Sequence, residues 1–422
     1  MTTAVGPGLR AREGEARPSL VDIAAFAAAV LLLLIYSQGW EFPLTGGVEE
    51  TTEDAFVRTL FLPAYAAGVF LFALGPWRVT RALTRQPLLV ALVAIAAISI
   101  FWSVSPEQTE RRIFALVLTT LGGVTLAARY SWARLAEVIA LVFALLAVLS
   151  LITCVFIPSI GRMSELYPGA WRGLWPEKNG FGGNMALGAV LCAAAAMLNP
   201  RRASPWWGMA ALSVLLVVMS SSKTSLVSLF LGFGAVILVG AVRRGAVASV
   251  VATWAAVVAV ALVAGFTVFA SNTFFGLLGK EATLTGRTKL WAAVWRQIAQ
   301  RPWQGYGYAA IWDETDQWGP LAWITKDAGF RAHHAHNTWL EQWLALGVPG
   351  LAAWVGFYLQ TLTANVVALY REKGAYLALP FFVVYTLMSL TESVAVTYND
   401  LRWVIFVALA AKLALPDETA SA

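Results

Sequence analysis

LAEVIALVFALLAVLSLITCVFI, Leu135 to Ile157, carries one charge, Glu137, in an otherwise almost wholly apolar run. A helix of about 20 such residues crosses a hydrocarbon layer of roughly 30 Å, and inside that layer the backbone polar groups must be satisfied within helices. Reading outward, similar runs occupy 19–37, 57–76, 87–104, 113–128, 180–198, 206–221, 224–242, 247–270, 337–369, 375–395 and 400–415. Hydrophobic residues make up 59% of the chain and charged residues 13%, with a mean hydropathy of +0.68. The expected fold is an all-α integral membrane protein, a bundle of about twelve transmembrane helices. The 337–369 run is long for one crossing, and Gly347, Pro349 and Gly350 suit a break into a short surface helix followed by the span.

Cationic loops favour the cytoplasm. Arg78, Arg81 and Arg85, then Arg129 and Arg134, Arg201 and Arg202, Arg243 and Arg244, and Arg371 and Lys373 fall in alternate loops, on the side of Arg10, Arg12 and Arg17. The first opposite loop is acidic, with Glu41, Glu49, Glu50, Glu53 and Asp54. Both termini are therefore expected in the cytoplasm. The first apolar run lacks a small-residue cleavage site and reads as a retained span. This divides the chain into a tail (1–18), a bundle of about nine spans (19–270), a large outer loop (271–336), C-terminal spans (337–415) and a second tail (416–422). Cys154 and Cys192 lie in or beside spans without metal-type spacing. The net charge of +6 comes largely from loop arginines, so no nucleic-acid partner is inferred.

A loop as long as 271–336 usually has a function. Within it, GRTKLWAAVWRQIAQRPW (Gly286–Trp303) aligns Leu290, Trp291, Val294, Trp295 and Ile298 on one helical face, as in a helix lying on the membrane surface. Arg172 and Lys178 in SIGRMSELYPGAWRGLWPEKNGFGGN (Ser159–Asn184), and Lys223 in MSSSKTSLVS, oppose the positive-inside bias. They suit an anionic ligand such as a lipid diphosphate, or else snorkel to phospholipid headgroups. All three histidines, His333, His334 and His336, sit where the loop re-enters the membrane. With Asp327 or the DETD run (Asp313–Asp316) they form a weak zinc pattern, lacking a His-x-x-x-His or Cys pair, and no metal site is assigned.

Four segments in order carry a resemblance. HAHNTWLEQWLALGVPGLAAW (His334–Trp354), WRGLWPEKNGFGGNMALG (Trp171–Gly188), SSSKTS (Ser220–Ser225) and GRTKLWAAVWRQIAQRPWQGYGYAAIW (Gly286–Trp312) resemble motifs of the O-antigen ligase and Wzy-type polymerase superfamily, with the last similar to ExoQ-like exopolysaccharide polymerases. The likeness covers about 160–360, and the N-terminal spans match in hydropathy alone. It implies a GT-C-like bundle in the bacterial inner membrane whose large loop and active site face the periplasm. The implied activity is an inverting, metal-independent glycosyltransferase without cofactors. The implied partners are an undecaprenyl diphosphate-linked glycan, an acceptor glycan or lipid A-core, the bilayer and other polysaccharide export proteins.

On that reading His336, directly before Asn337 as in the family motif, takes the acceptor proton, although a capping or hydrogen-bonded structural role suits it too. Arg172 and Arg287 grip the diphosphate, followed by Lys178 and Lys223. For Arg287 a helix cap is the competing reading. Asn337, Tyr306, Tyr308 and His333 are candidate substrate contacts, though GYGY also reads as a turn. Glu392 and Arg402 are further ionisable candidates or a mutual ion pair. A glycolipid transporter or flippase competes with the enzyme, but two-half symmetry is not visible in the chain. A scaffold subunit of an export complex would not need this constellation. The motifs favour polymerisation of exopolysaccharide or O-antigen repeat units over ligation to lipid A-core.

Overall fold

The computed structural model describes residues 19–46, 55–164, 167–269, 286–312 and 316–415. Both tails, the acids Glu49 to Asp54, most of the DETD run and the start of the large loop fall outside the described residues. Among the described residues the chain is helical, with one isolated strand-like pairing of Arg162 and Trp171.

Each apolar run lies on a helix. Among the described residues seven helices are long and apolar enough to cross a membrane: Phe56–Ala73, Pro106–Arg129, Trp132–Phe156, Lys178–Leu198, Pro200–Met219, Lys223–Val242 and Thr338–Arg371. Pro76–Thr84 and Pro87–Trp102, bent by 91°, make an eighth if they form one span. The protein is thus a multi-pass membrane protein, and among the described residues seven or eight helical stretches meet the length requirement by themselves. The remaining runs lie on shorter described stretches, Leu20–Tyr36, Ala246–Val258 and Ala375–Thr391, and on Leu401–Ala414.

Local chemistry sets the helix ends. Ser19, Ser131, Ser222, Asn337 and Asp400 accept hydrogen bonds from backbone N–H groups of the first turns that follow them, satisfying donors that the helix cannot. Pro76, Pro87 and Pro106 open helices at the position where the missing N–H is harmless.

Lys178–Leu198 forms the centre, buried continuously from Phe181 to Ala196. Its small residues allow this: a Cβ on Gly182 would sit 2.6 Å from Ser225 Oγ and 2.7 Å from Ser220 Oγ, the close backbone approach that drives helix association in lipid. The C-terminal helices join through rings, with Phe406 centred 4.6 Å from Tyr385 and 5.5 Å from Phe357. Gln86 donates to Ala410 O (2.7 Å) and accepts from Gln360 (2.7 Å), bonds of roughly 1 kcal/mol each between membrane helices.

Thr338–Arg371 is broken where the sequence suggests, at Gly347 (φ 66°, ψ −164°). The carbonyls of Leu344 and Ala345 accept from Tyr306 N (3.0 Å) and Gly307 N (2.9 Å), and Val348 N donates to Pro302 O (2.9 Å). A Cβ on Gly347 would lie 2.2 Å from Trp303 O. The Pro302–Gly307 turn therefore splints the kink backbone to backbone.

The Arg287–Gln300 helix departs from expectation. Leu290, Val294 and Ile298 do not face lipid; they pack with Ile311, Leu321, Ile324 and Leu344 in a separate core. The loop brings its own apolar partners, including the Pro320–Ala328 helix, so that face is buried within protein. Trp295 lies edge-on to Trp343, centroids 5.1 Å apart, while Trp303 and Trp318 are exposed.

Candidate functional site

His336 Nδ1 lies 3.0 Å from Glu392 Oε2, and Arg287 Nη2 lies 2.9 Å from Glu392 Oε1. One carboxylate thus joins the histidine turn, the start of the Arg287–Gln300 helix and the end of Ala375–Thr391. An ionised carboxylate only accepts, so Nδ1 of His336 carries its proton and Nε2 remains the basic nitrogen.

The surroundings hold this geometry. His336 sits in the left-handed region (φ 50°), a conformation of order 1 kcal/mol above the ordinary ones for such a residue. Asn337 then caps the helix, with Oδ1 accepting from Trp339 N (3.0 Å) and Leu340 N (3.1 Å). Thr338 Oγ1 donates to Glu392 O (2.9 Å) and accepts from Val394 N (3.0 Å). Glu341 accepts from Ala335 N (2.7 Å), Ser393 Oγ (3.0 Å) and the Trp312 indole, and Gln342 Nε2 donates to Ala395 O (3.0 Å). The histidine turn and the 392–396 turn are therefore one bonded unit.

The His334 ring lies against that of His336, centroids 3.8 Å apart and planes tilted by 49°, and its Nδ1 accepts from His336 N (3.2 Å). Burial, then the neighbouring His336, lowers the His334 pKa to about 3, so this ring is neutral near pH 7. Burial raises the Glu392 pKa, but the His336 hydrogen bond, both histidines and Arg287 outweigh it and lower the pKa to about 2.

A cavity of about 500 Å³ opens beside this unit, lined by His333, His334, Glu341, Arg112, Asp400 and Arg402 among others. Tyr308 also lines it, but its hydroxyl donates to Val396 O (2.7 Å). Tyr306 is buried away from it, its hydroxyl donating to Gln297 O (3.1 Å). His336, Arg287 and Asn337 lie outside its lining, the first against the ring of His334. Of the two readings open for Glu392 and Arg402, the mutual ion pair is not the one formed: Arg402 binds Asp400.

The cations distribute around the same end of the bundle. Lys178 and Lys223 open neighbouring helices tied by Ser222 Oγ to Asn179 Oδ1 (2.9 Å). A Cβ on Gly183, in the second turn after Lys178, would meet Met388, one turn before Glu392. The paired helix starts add positive potential to the two ammonium groups. Lys178 Nζ lies 3.5 Å from the Tyr167 ring centroid. Arg172 donates to Ile160 O (2.7 Å) and Ser159 O (3.0 Å) and lies over Phe42, which lines the cavity. Of these four cations Arg287 is bonded to the His336–Glu392 pair.

His334, His336 and Glu392 also place potential ligand atoms within 4.8 Å of one another, a set of the composition that holds zinc. Arg287 occupies the other carboxylate oxygen. Asp327, one of the acids of the weak zinc pattern, pairs with Arg296 (3.0 Å).

Glu392 was legible in the sequence as an ionisable candidate but its partners were not, and Glu341, Asp400 and Arg112 were passed over. The signal for Glu341 was available: an acid four residues after Asn337 inside an apolar helix is costly unless bonded.

Residues 208–355 match the model of the O-antigen ligase family (Wzy_C). The exopolysaccharide production protein ExoQ of Rhizobium meliloti (strain 1021) is 29% identical over 193 residues, covering 42% of this chain. The chain spans 43% of that relative's length. The likeness to O-antigen ligases and ExoQ-like proteins read from the motifs is thus shown, and the family match includes Lys223, Arg287, His333 and His336.

Proposed function

We propose that this protein is a metal-independent membrane glycosyltransferase that moves a glycan from an undecaprenyl diphosphate carrier to a sugar hydroxyl of a second carrier-linked glycan, lengthening a polysaccharide. It works at the periplasmic face of the bacterial inner membrane, with both termini in the cytoplasm. The observation that carries the reading is the His336–Glu392–Arg287 relay beside a polar cavity at one end of a bundle of apolar helices.

In the proposed step the acceptor hydroxyl loses its proton to Nε2 of His336 while its oxygen bonds to the anomeric carbon of the donor sugar. The bond from that carbon to the diphosphate oxygen breaks, and the leaving diphosphate keeps the electron pair. Attack opposite the leaving group inverts the anomeric centre. Glu392 orients the imidazole and carries the opposing charge, as the acid of a catalytic triad does. Arg287, Lys178, Lys223 and Arg172 supply fixed positive charge to the leaving group. His333 and Tyr308 contact substrate from the cavity wall, and Asn337 acts by capping the helix that presents His336.

The family description as O-antigen ligase favours a second reading, transfer to lipid A-core. Purified protein given carrier-linked glycan alone distinguishes the two: chain lengthening without a second acceptor supports polymerisation, and transfer only after lipid A-core is added supports ligation. His336→Ala should abolish either transfer while the protein still reaches the membrane. Normal polymer output from that variant overturns the reading, and carrier-linked glycan trapped on the cytoplasmic side would indicate a transporter.

A further inference from the structure

A second cavity of about 500 Å³ lies between the ends of Phe56–Ala73 and Pro106–Arg129 that adjoin the candidate site. Phe61, Leu62 and Phe114 give it apolar walls, and among the described residues Arg58, Arg111 and Arg112 line it with one acid, Glu110. Gln38, Arg112 and Tyr398 line both cavities, so the two chambers share a wall. Arg112 donates to Ala309 O, and its guanidinium lies 5.7 Å from the Tyr398 ring centroid. Arg111 pairs with Glu107 in an exposed bridge, the kind that contributes little and exchanges readily.

Apolar walls leading to a cationic rim complement an anionic lipid: a hydrocarbon chain lies on the rings, and guanidinium forks take phosphate oxygens two at a time. These cations lie at the opposite end of the Pro106–Arg129 helix from Arg129. A site for ordinary headgroups has no need to share a wall with a polar reaction chamber, whereas a substrate lipid does.

We propose that this second cavity holds the polyisoprenyl diphosphate head of the acceptor, a deepening that rests on the transferase reading above. The donor diphosphate then lies on the Arg287 side, and the two carrier-linked glycans meet across Arg112 and Tyr398. Two lipid diphosphate sites per chain are what chain lengthening requires.

The test is the stoichiometry of geranylgeranyl diphosphate binding to the full chain in phosphatidylcholine nanodiscs. Two molecules per chain are expected for the wild type. Arg58→Gln/Arg111→Gln should weaken one site by about tenfold or more, the effect of losing one or two charge-assisted hydrogen bonds, and leave the other unchanged. Its retained first site then reports a folded protein. Leu62→Trp, which fills the apolar wall and keeps the arginines, should remove the same site and decides the matter if the double variant fails to fold. Two unchanged sites in these variants overturn the proposal. One site per wild-type chain overturns it and chain lengthening with it, leaving glycan transfer to an acceptor without a lipid diphosphate, and none overturns the transferase reading as well. Equal displacement by phosphatidylglycerol identifies an ordinary headgroup site, and equal affinity for inorganic diphosphate a free-anion site. Either result overturns the lipid-acceptor assignment.

Discussion

Nδ1 of His336 meets Oε2 of Glu392 at 3.0 Å across 56 residues of sequence. A histidine flagged by its own motif is thereby oriented by a carboxylate at the end of a different helix. Glu392→Gln keeps the shape but lets the amide offer a donor, freeing the imidazole to adopt the other tautomer. Transfer rate should fall by roughly 10²- to 10⁴-fold with donor affinity changed far less. A rate within threefold of wild type in a single-turnover assay would remove Glu392 from the mechanism.

Acid should destabilise the fold in two stages. His334 titrates near pH 3 when folded against an ordinary 6.5. The unfolded chain therefore takes up this proton first, and stability falls as pH drops from about 6.5 toward 3. Glu392 titrates near 2 against 4.5. Its contribution is present above 4.5 and lost as pH falls through about 2. Thermal unfolding in detergent across pH 7 to 3 should show His334→Gln flattening the upper part of the slope and Glu392→Gln the lower. Unaltered slopes in both variants would contradict the assigned shifts.

Gly347→Ala should destabilise the protein by about 2 kcal/mol or more, because it combines a left-handed backbone with a Cβ 2.2 Å from Trp303 O. Gly208→Ala, where nothing lies within 4 Å of the new Cβ, should gain up to about 1 kcal/mol from helix propensity. Unfolding temperatures of the pair check this, and equal shifts would mean that the splint from Pro302 to Gly307 is dispensable.

Arg287→Lys retains a charge but loses the planar fork, so the apparent KM for carrier-linked donor should rise about tenfold. Arg172 already spends two donors on Ile160 O and Ser159 O. Its lysine variant should lower the unfolding temperature more than it raises KM. The reverse ranking would move the diphosphate to the Arg172 side.

Chelator treatment should leave transfer unchanged, since the proposed mechanism draws its positive charge from side chains. A rate lost on adding EDTA and restored by zinc would assign His334, His336 and Glu392 to a metal instead.

Much was legible in the chain itself. Each apolar run fell on a helix, because in lipid a backbone satisfies its hydrogen bonds locally or not at all. The Gly347 break was legible for a related reason: Gly, Val, Pro and Gly in succession are poor helix continuation wherever they occur. The Arg287–Gln300 helix was legible as amphipathic, but periodicity says that a face is buried and not what covers it, so its packing on Ile311, Leu321 and Leu344 was not. Crossing number is not read from run length alone, because helices such as Leu401–Ala414, buried on nearly every side, are shorter than a lone span.

The candidate site divides in the same way. Local motifs marked His336, Asn337 and Arg287 as candidates, and the cap that Asn337 places on the following helix is set within a few positions of itself. Glu392 choosing His336 and Arg287 over Arg402, Tyr306 turning inward to Gln297, and Arg112 standing between two cavities were decided by tertiary structure alone. Ion pairs and cavity walls depend on which helix ends meet in space, and a buried carboxylate takes whichever donor packing brings within 3 Å. Sequence alone determined a helical membrane protein with a histidine turn at a loop's re-entry. Only the fold determined which charges that histidine answers to.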